Sequence, residues 1–149
     1  MTYAIEITEW NLPYHFAISP DLKPLPGLPE FGPFWEHRDI LLRGKFLAPD
    51  KVHDRTLEIR IAGNRNLVQM MEQPHKYTEK PRAIGTLTVW GKQSEGYINV
   101  PYDALNMLCL LLMAGKSKFL ILSGPALYRG HADLSAMYFE KEYKSEDWN

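Results

Sequence analysis

The densest group of chemically capable side chains is Glu36-His37-Arg38-Asp39, set in an apolar neighbourhood that includes Trp35 and Leu41. On a strand, successive side chains point to opposite faces. His37 and Asp39 would then share one face with Trp35 and Leu41, and Glu36 and Arg38 the other. A His-x-Asp pair facing a cavity has the donor types of a metal corner, or of a general base held by its orienting carboxylate. A metal would need a further ligand from His15, His53 or His131, and none stands at a recognisable spacing. The same residues also suit an outward face of alternating charges paired across strands. A second group, Arg129 and His131 around Gly130, lies in the stretch LYRGHAD. If that turn folds over a cleft, Arg129 offers a planar fork to an anionic ligand. The candidate ligand-binding set is therefore Glu36, His37, Arg38, Asp39, Arg129 and His131, with no metal and no cofactor assigned.

Other chemistries find less support. Cys109, the single cysteine, sits inside the all-apolar run Met107 to Ala114 and has the surroundings of a small buried hydrophobe, not of an activated nucleophile. Ser123 in LSGP lacks the G-x-S-x-G context of a nucleophile elbow. No phosphate-binding glycine loop, dinucleotide fingerprint, H-E-x-x-H or C-x-x-C occurs. Seventeen Lys and Arg balance eighteen Asp and Glu, for a net charge of −1, so nucleic acid and acidic membranes are not expected partners. The N-terminus MTYAIEITEW has neither a basic n-region nor an apolar h-region, and the longest apolar run is too short to span a bilayer. A cytoplasmic protein is the expectation.

The elements that would position these residues follow from periodicity. Leu57, Ile59 and Ile61 alternate with Glu58 and Arg60, as on a half-buried strand, and Tyr3 to Trp10 and Ile84 to Trp90 read alike. Phe34 to Leu47 is a long extended segment with Gly44 marking a bulge, pairing antiparallel with Thr56 to Ile61. Asn66 would cap a short helix burying Leu67, Met70 and Met71. Residues 20–33 hold five prolines and two glycines, the mark of an extended loop, whose PxxP could serve as a polyproline ligand.

Pro101 to Gly124 is the organising stretch: Pro101 opens a helix that is apolar all round in its second half, Gly115 ends it, and the buried strand around FLIL follows. Ala132 to Glu142 is the last strand, with Leu134, Ala136 and Tyr138 on one face, before a frayed tail at 144–149. The fold class is mainly β (α+β): an antiparallel β-sandwich, or a curved sheet or partly open barrel, with one central buried helix, in a single unit over 1–149.

Four Trp, eight Tyr and six Phe supply the material of a subunit interface or of a pocket. The functional expectation is a non-catalytic binding or protein-interaction domain, a homo-oligomer with room for a further protein partner. The alternative is a small metal-dependent or small-molecule-binding enzyme using residues 36–39 with Arg129 and His131. Convergence of the two groups would separate these readings. Leu111→Asp, which puts a charge in the apolar helix, is expected to unfold the protein or dissolve its assembly. Native mass spectrometry and chemical unfolding check this; a soluble, two-state variant of unchanged mass would place the helix at the surface.

Overall fold

The computed structural model describes residues 1–21, 33–76 and 81–147. In chain order it contains β1 (Thr2–Asn11), β2 (Tyr14–Ile18), β3 (Phe34–Ala48), β4 (Thr56–Asn64) and α1 (Arg65–Glu72). These are followed by β5 (Gly85–Trp90), β6 (Gln93–Pro101), α2 (Ala104–Met113), β7 (Phe119–Ser123), β8 (His131–Leu134) and β9 (Ala136–Glu140). The strands form one sheet in the order β8-β5-β6-β4-β3-β1-β7-β9, with β2 added to the outer end of β3. The two outermost strands of that order, β8 and β9, are consecutive in sequence, with only Ser135 between them. The sheet therefore curls back on itself into a nearly closed barrel. Of the two mainly-β forms expected, the curved sheet is realised and the two-sheet sandwich is not.

Alternation dictates which side chains enter the interior. Leu57, Ile59 and Ile61 of β4, Leu87 and Val89 of β5, and Ile40, Leu42 and Phe46 of β3 join one buried cluster. Leu120 and Leu122 of β7 join it too, and Ile121 between them is also fully buried, which accounts for the uniformly apolar FLIL. β3 and β4 pair antiparallel as expected, Ile40 opposite Ile61 and Leu42 opposite Ile59. The register of β1 on β3 slips between Ile7 and Glu9, beside Gly44. Gly44 is required there, because a Cβ would collide with the Glu6 carbonyl and the Ile5 side chain. β4 and β6 run parallel, from Thr56 opposite Gln93 to Asn64 opposite Pro101, a pairing that strand-by-strand alternation does not reveal.

Three expectations are corrected. Pro101 closes β6 instead of opening the helix, because the parallel ladder runs through it; α2 begins at Ala104. The cap of α1 is Asn64, whose side chain accepts from the Asn66 backbone N–H at 2.9 Å, and no residue of α1 is fully buried. The last strand is broken at Ser135. Ala132 and Leu134 point inward, but beyond Ser135 it is Met137 and Phe139 that pack on the core, while Tyr138 is exposed. The exchange of partner, from β5 to β7, costs one residue of register and so flips the inward parity.

The helix α2 runs from the end of β6 to the start of β7, strands set well apart in the sheet order. Its Leu105, Leu108 and Leu112 drop into the shared core, each worth about 1.5–3 kcal/mol of burial. It ends as expected. Gly115 at φ +67° lets its own N–H reach the Leu112 carbonyl at 3.1 Å, while the Lys116 N–H reaches that of Leu111 at 3.3 Å. Among the described residues, the all-round cover expected for α2 is supplied on one face alone. Met107, Leu110 and Met113 are 56%, 65% and 67% exposed.

Of the proline segment, Pro20, Asp21 and Pro33 are described. The Ser19 N–H donates to the Pro33 carbonyl at 2.6 Å, so the ends of the loop are drawn together. The PxxP itself lies outside the described residues, as does Trp148. Gly44→Ala is expected to cost about 1–3 kcal/mol, since backbone of β1 must move to admit a methyl group. Urea unfolding of the two proteins checks it; equal midpoints would mean that β1 yields freely.

Candidate functional site

Among the described residues, the first residues of β3 pair with β2 alone. Tyr14 lies opposite Arg38, His15 opposite His37 and Phe16 opposite Glu36, forming a two-stranded ribbon that extends from the sheet. At Asp39, opposite Ala62 of β4, the strand enters the sheet proper. Directly opposed residues share a face. One ribbon face thus carries Tyr14, Phe16, Glu36 and Arg38, and the other carries His15, Trp35 and His37, the division expected from alternation.

Glu36 is the anchor of the first face. Its Oε2 accepts from the Tyr14 hydroxyl at 2.9 Å, and its Oε1 accepts from the hydroxyl of Tyr102, the residue directly after β6. These two bonds, that of Tyr102 foremost, hold the Glu36 carboxyl below its usual range. Its own bond to Glu36 raises the Tyr14 phenol, whose proton is held by the carboxylate. Such a carboxylate is a weak base at neutral pH, suited to fixing neighbours and ill suited to abstracting protons.

Tyr102 in turn supports two guanidinium groups. Arg38 lies over its ring at 3.8 Å and Arg65, the first residue of α1, at 4.4 Å. The parallel register explains this meeting: Asn64 opposite Pro101 sets the start of α1 beside Tyr102. Arg38 makes one ion-pair contact, Nε to Glu36 Oε1 at 3.6 Å, which is too long for a hydrogen bond. That Nε is closed off from solvent and has no hydrogen-bond partner among the described residues. A buried donor left in this state costs on the order of 1–3 kcal/mol. Arg60, by contrast, is committed to Asp39 at 2.6 Å, and the Asp39 side chain is only 9% exposed.

These groups surround a cavity of about 400 Å³, to which Asn64, Asn66, Asn99 and Tyr97 add polar atoms. All four of Glu36, His37, Arg38 and Asp39 line it. His37 also belongs to the opposite ribbon face, where Trp35 meets it edge-on at 5.2 Å and meets His15 at 4.3 Å.

The second candidate group stands apart. Tyr128 to His131 is a tight turn with Arg129 at φ +50° and Gly130 at φ +77°, closed by Tyr128 N–H to His131 O at 2.9 Å and the reciprocal bond at 3.0 Å. Arg129 lies 5.3 Å from the Tyr128 ring centre, and His131 Nε2 is 3.3 Å from Asp133 Oδ1. His131 pairs with Thr88 of β5, and neither Arg129 nor His131 lines the cavity at 36–39. The six candidates therefore divide into four and two. Among the described residues, no three of His, Cys, Asp and Glu come together to hold a metal ion. Cys109 is half-buried, and burial pushes its thiol up.

Sequence reasoning missed Tyr14, Tyr102, Arg60 and Arg65. Alternation on β4 marked Arg60 as outward, but its pairing with Asp39 depends on the β3–β4 register. No local signal marks Tyr102, which becomes a site residue only because β4 and β6 run parallel.

No family model, curated protein or solved structure matches this chain.

The folded-state value of Glu36 lies below the ordinary 4.5, so its ionised form contributes stability that is present above that value and lost as pH falls through the lowered one. Glu36→Gln is accordingly expected to melt below wild type near neutral pH, with the gap closing under acid. Thermal melts of both proteins from about pH 7 down to about pH 3 check this. A gap of constant size would assign the loss to packing instead of charge.

Proposed function

We propose that this chain is a non-catalytic binding domain that works as a homo-oligomer, with the exposed stripe of α2 as the contact between copies. The observation that carries this reading is the stripe itself. Met107, Leu110 and Met113 recur at intervals of three residues, each more than half exposed, on a helix whose opposite face is committed to the core. Nothing from Ala104 to Met113 carries a charge, and Asn106 is the single polar side chain. A face without charges has nothing to match on a charged partner. It is complementary to a second copy of itself across a two-fold axis. A net charge of −1 puts little repulsion between copies.

A further protein partner has a separate surface in the ribbon, where Phe16 and Phe34 stack at 6.0 Å and both are exposed, as are Tyr14 and Ile18. Aromatic anchors of this kind dominate protein interfaces. We place the protein in the cytoplasm, in keeping with a lone, half-buried thiol. Among the described residues, no helix is long and apolar enough to cross a membrane.

The second reading, a small-molecule-binding enzyme, keeps the cavity at residues 36–39. It does not keep Arg129 and His131, which lie outside that cavity.

Leu110→Glu, at an exposed position of the stripe, is expected to give a folded monomer where the wild type is a dimer. Native mass spectrometry and light scattering count the subunits, and circular dichroism confirms the fold. A wild type that is monomeric at micromolar concentration, or a Leu110→Glu variant that stays dimeric, would overturn the proposed interface.

A further inference from the structure

One of the cations lining the cavity at the foot of the ribbon, Arg38, has a buried Nε with no hydrogen-bond partner among the described residues. Asp39 takes Arg60 at 2.6 Å, and the Tyr102 and Tyr14 hydroxyls take the oxygens of Glu36. Arg38 is left stacked on Tyr102, its Nε without a hydrogen-bond partner among the described residues and 3.6 Å from a Glu36 carboxylate oxygen. Its side chain is 29% exposed and lines the cavity. Stacking fixes the plane of the guanidinium, so an incoming acceptor meets a donor fork already oriented.

We propose that this cavity binds a small organic carboxylate, held by the Arg38 guanidinium and flanked by the amides of Asn64, Asn66 and Asn99. The charge of the lining selects the class. Arg38, Arg60 and Arg65 face Glu36 and Asp39, which leaves a single positive charge among the cavity's ionised groups. One carboxylate neutralises it. A phosphate dianion would overshoot and would meet two ionised carboxylates at close range. α1 begins at the wall of the cavity, which Asn64, Arg65 and Asn66 line, and the positive end of a helix dipole favours an anion there. A volume of about 400 Å³ suits a body the size of a single ring, and the partly exposed ring of Tyr97 offers it an apolar wall. The site is built within one chain and stands whether or not the chain self-associates.

Benzoate, its neutral isostere benzamide and inorganic phosphate are the probes, titrated into the isotopically labelled full chain and followed by two-dimensional NMR. Benzoate is expected to shift the amides of Gly63, Asn64, Asn66 and Asn99 saturably, benzamide to leave them in place, and phosphate to bind more weakly than benzoate. Arg38→Lys keeps the charge but loses the fork, and is expected to weaken benzoate by about tenfold, whereas Arg129→Lys should bind as wild type does. The proposal is overturned if benzoate leaves these amides unmoved, if benzamide matches it, if phosphate binds more tightly, or if Arg38→Lys binds benzoate unchanged. Should Arg38→Lys fail to fold, the contrast between benzoate, benzamide and phosphate on the wild-type chain decides alone.

Discussion

The backbone at Ser135 belongs to neither outer ladder of the sheet, and the curvature of the molecule depends on it. On one side of Ser135 the chain pairs with β5, and on the other with β7, so the two outermost strands are held together by covalent bonds. Both donors at the seam are paired: the Ser135 N–H and hydroxyl donate to the Ser123 carbonyl, at 2.8 and 3.2 Å. A twisted sheet constrained in this way must stagger its strands as it closes. The interior it encloses is filled by side chains from both ends of the sheet order, with the leucines of α2 completing the packing.

The cavity is a by-product of that closure. β3 is fifteen residues long, and it enters the sheet only from Asp39 onward. Its first five residues reach beyond β4 and, among the described residues, take β2 as their sole strand partner. The parallel pair β4 and β6 delivers Asn64 and Pro101 to the same level, and from there the chain departs twice, into α1 and into the turn at Tyr102. Glu36, Tyr102 and Arg65 come from three elements far apart in sequence, yet one register brings them together. The hydrogen bonds to Glu36 and the guanidinium stack on Tyr102 are then local chemistry on a globally positioned frame.

What the sequence reveals and what it hides divides along this line. Alternation at Leu57, Ile59 and Ile61, the bulge at Gly44 and the stop at Gly115 are consequences of each segment's own backbone, and they are legible. The division of residues 34–39 between two faces is legible for the same reason. The parity change at Ser135 is not, since neither strand carries the identity of its partner. Pro101 reads as a helix opener because proline tolerates that position; it ends a strand because a parallel neighbour extends that far. The exposed face of α2 could not be told from its buried face, as Met107, Leu110 and Met113 are as apolar as Leu105, Leu108 and Leu112. Of the site, the acidic and basic residues on β3 were visible. Tyr102 and Arg65, contributed from other elements, were not.

The ribbon has one more property. Among the described residues, β2 pairs with β3 on one side and with no strand on the other, so one row of its backbone donors and acceptors faces outward. The segment Tyr14 to Ile18 is uncharged, aromatic and extended, which is the profile of a template for growth by strand addition between molecules. Pro13 and Pro20 stand on either side of it, and proline has no N–H to offer an incoming strand. A foreign strand can therefore register on five residues and then runs out of partners. Two imino acids in this way act as terminators, confining a surface prone to fibrillar stacking to a length at which it cannot propagate.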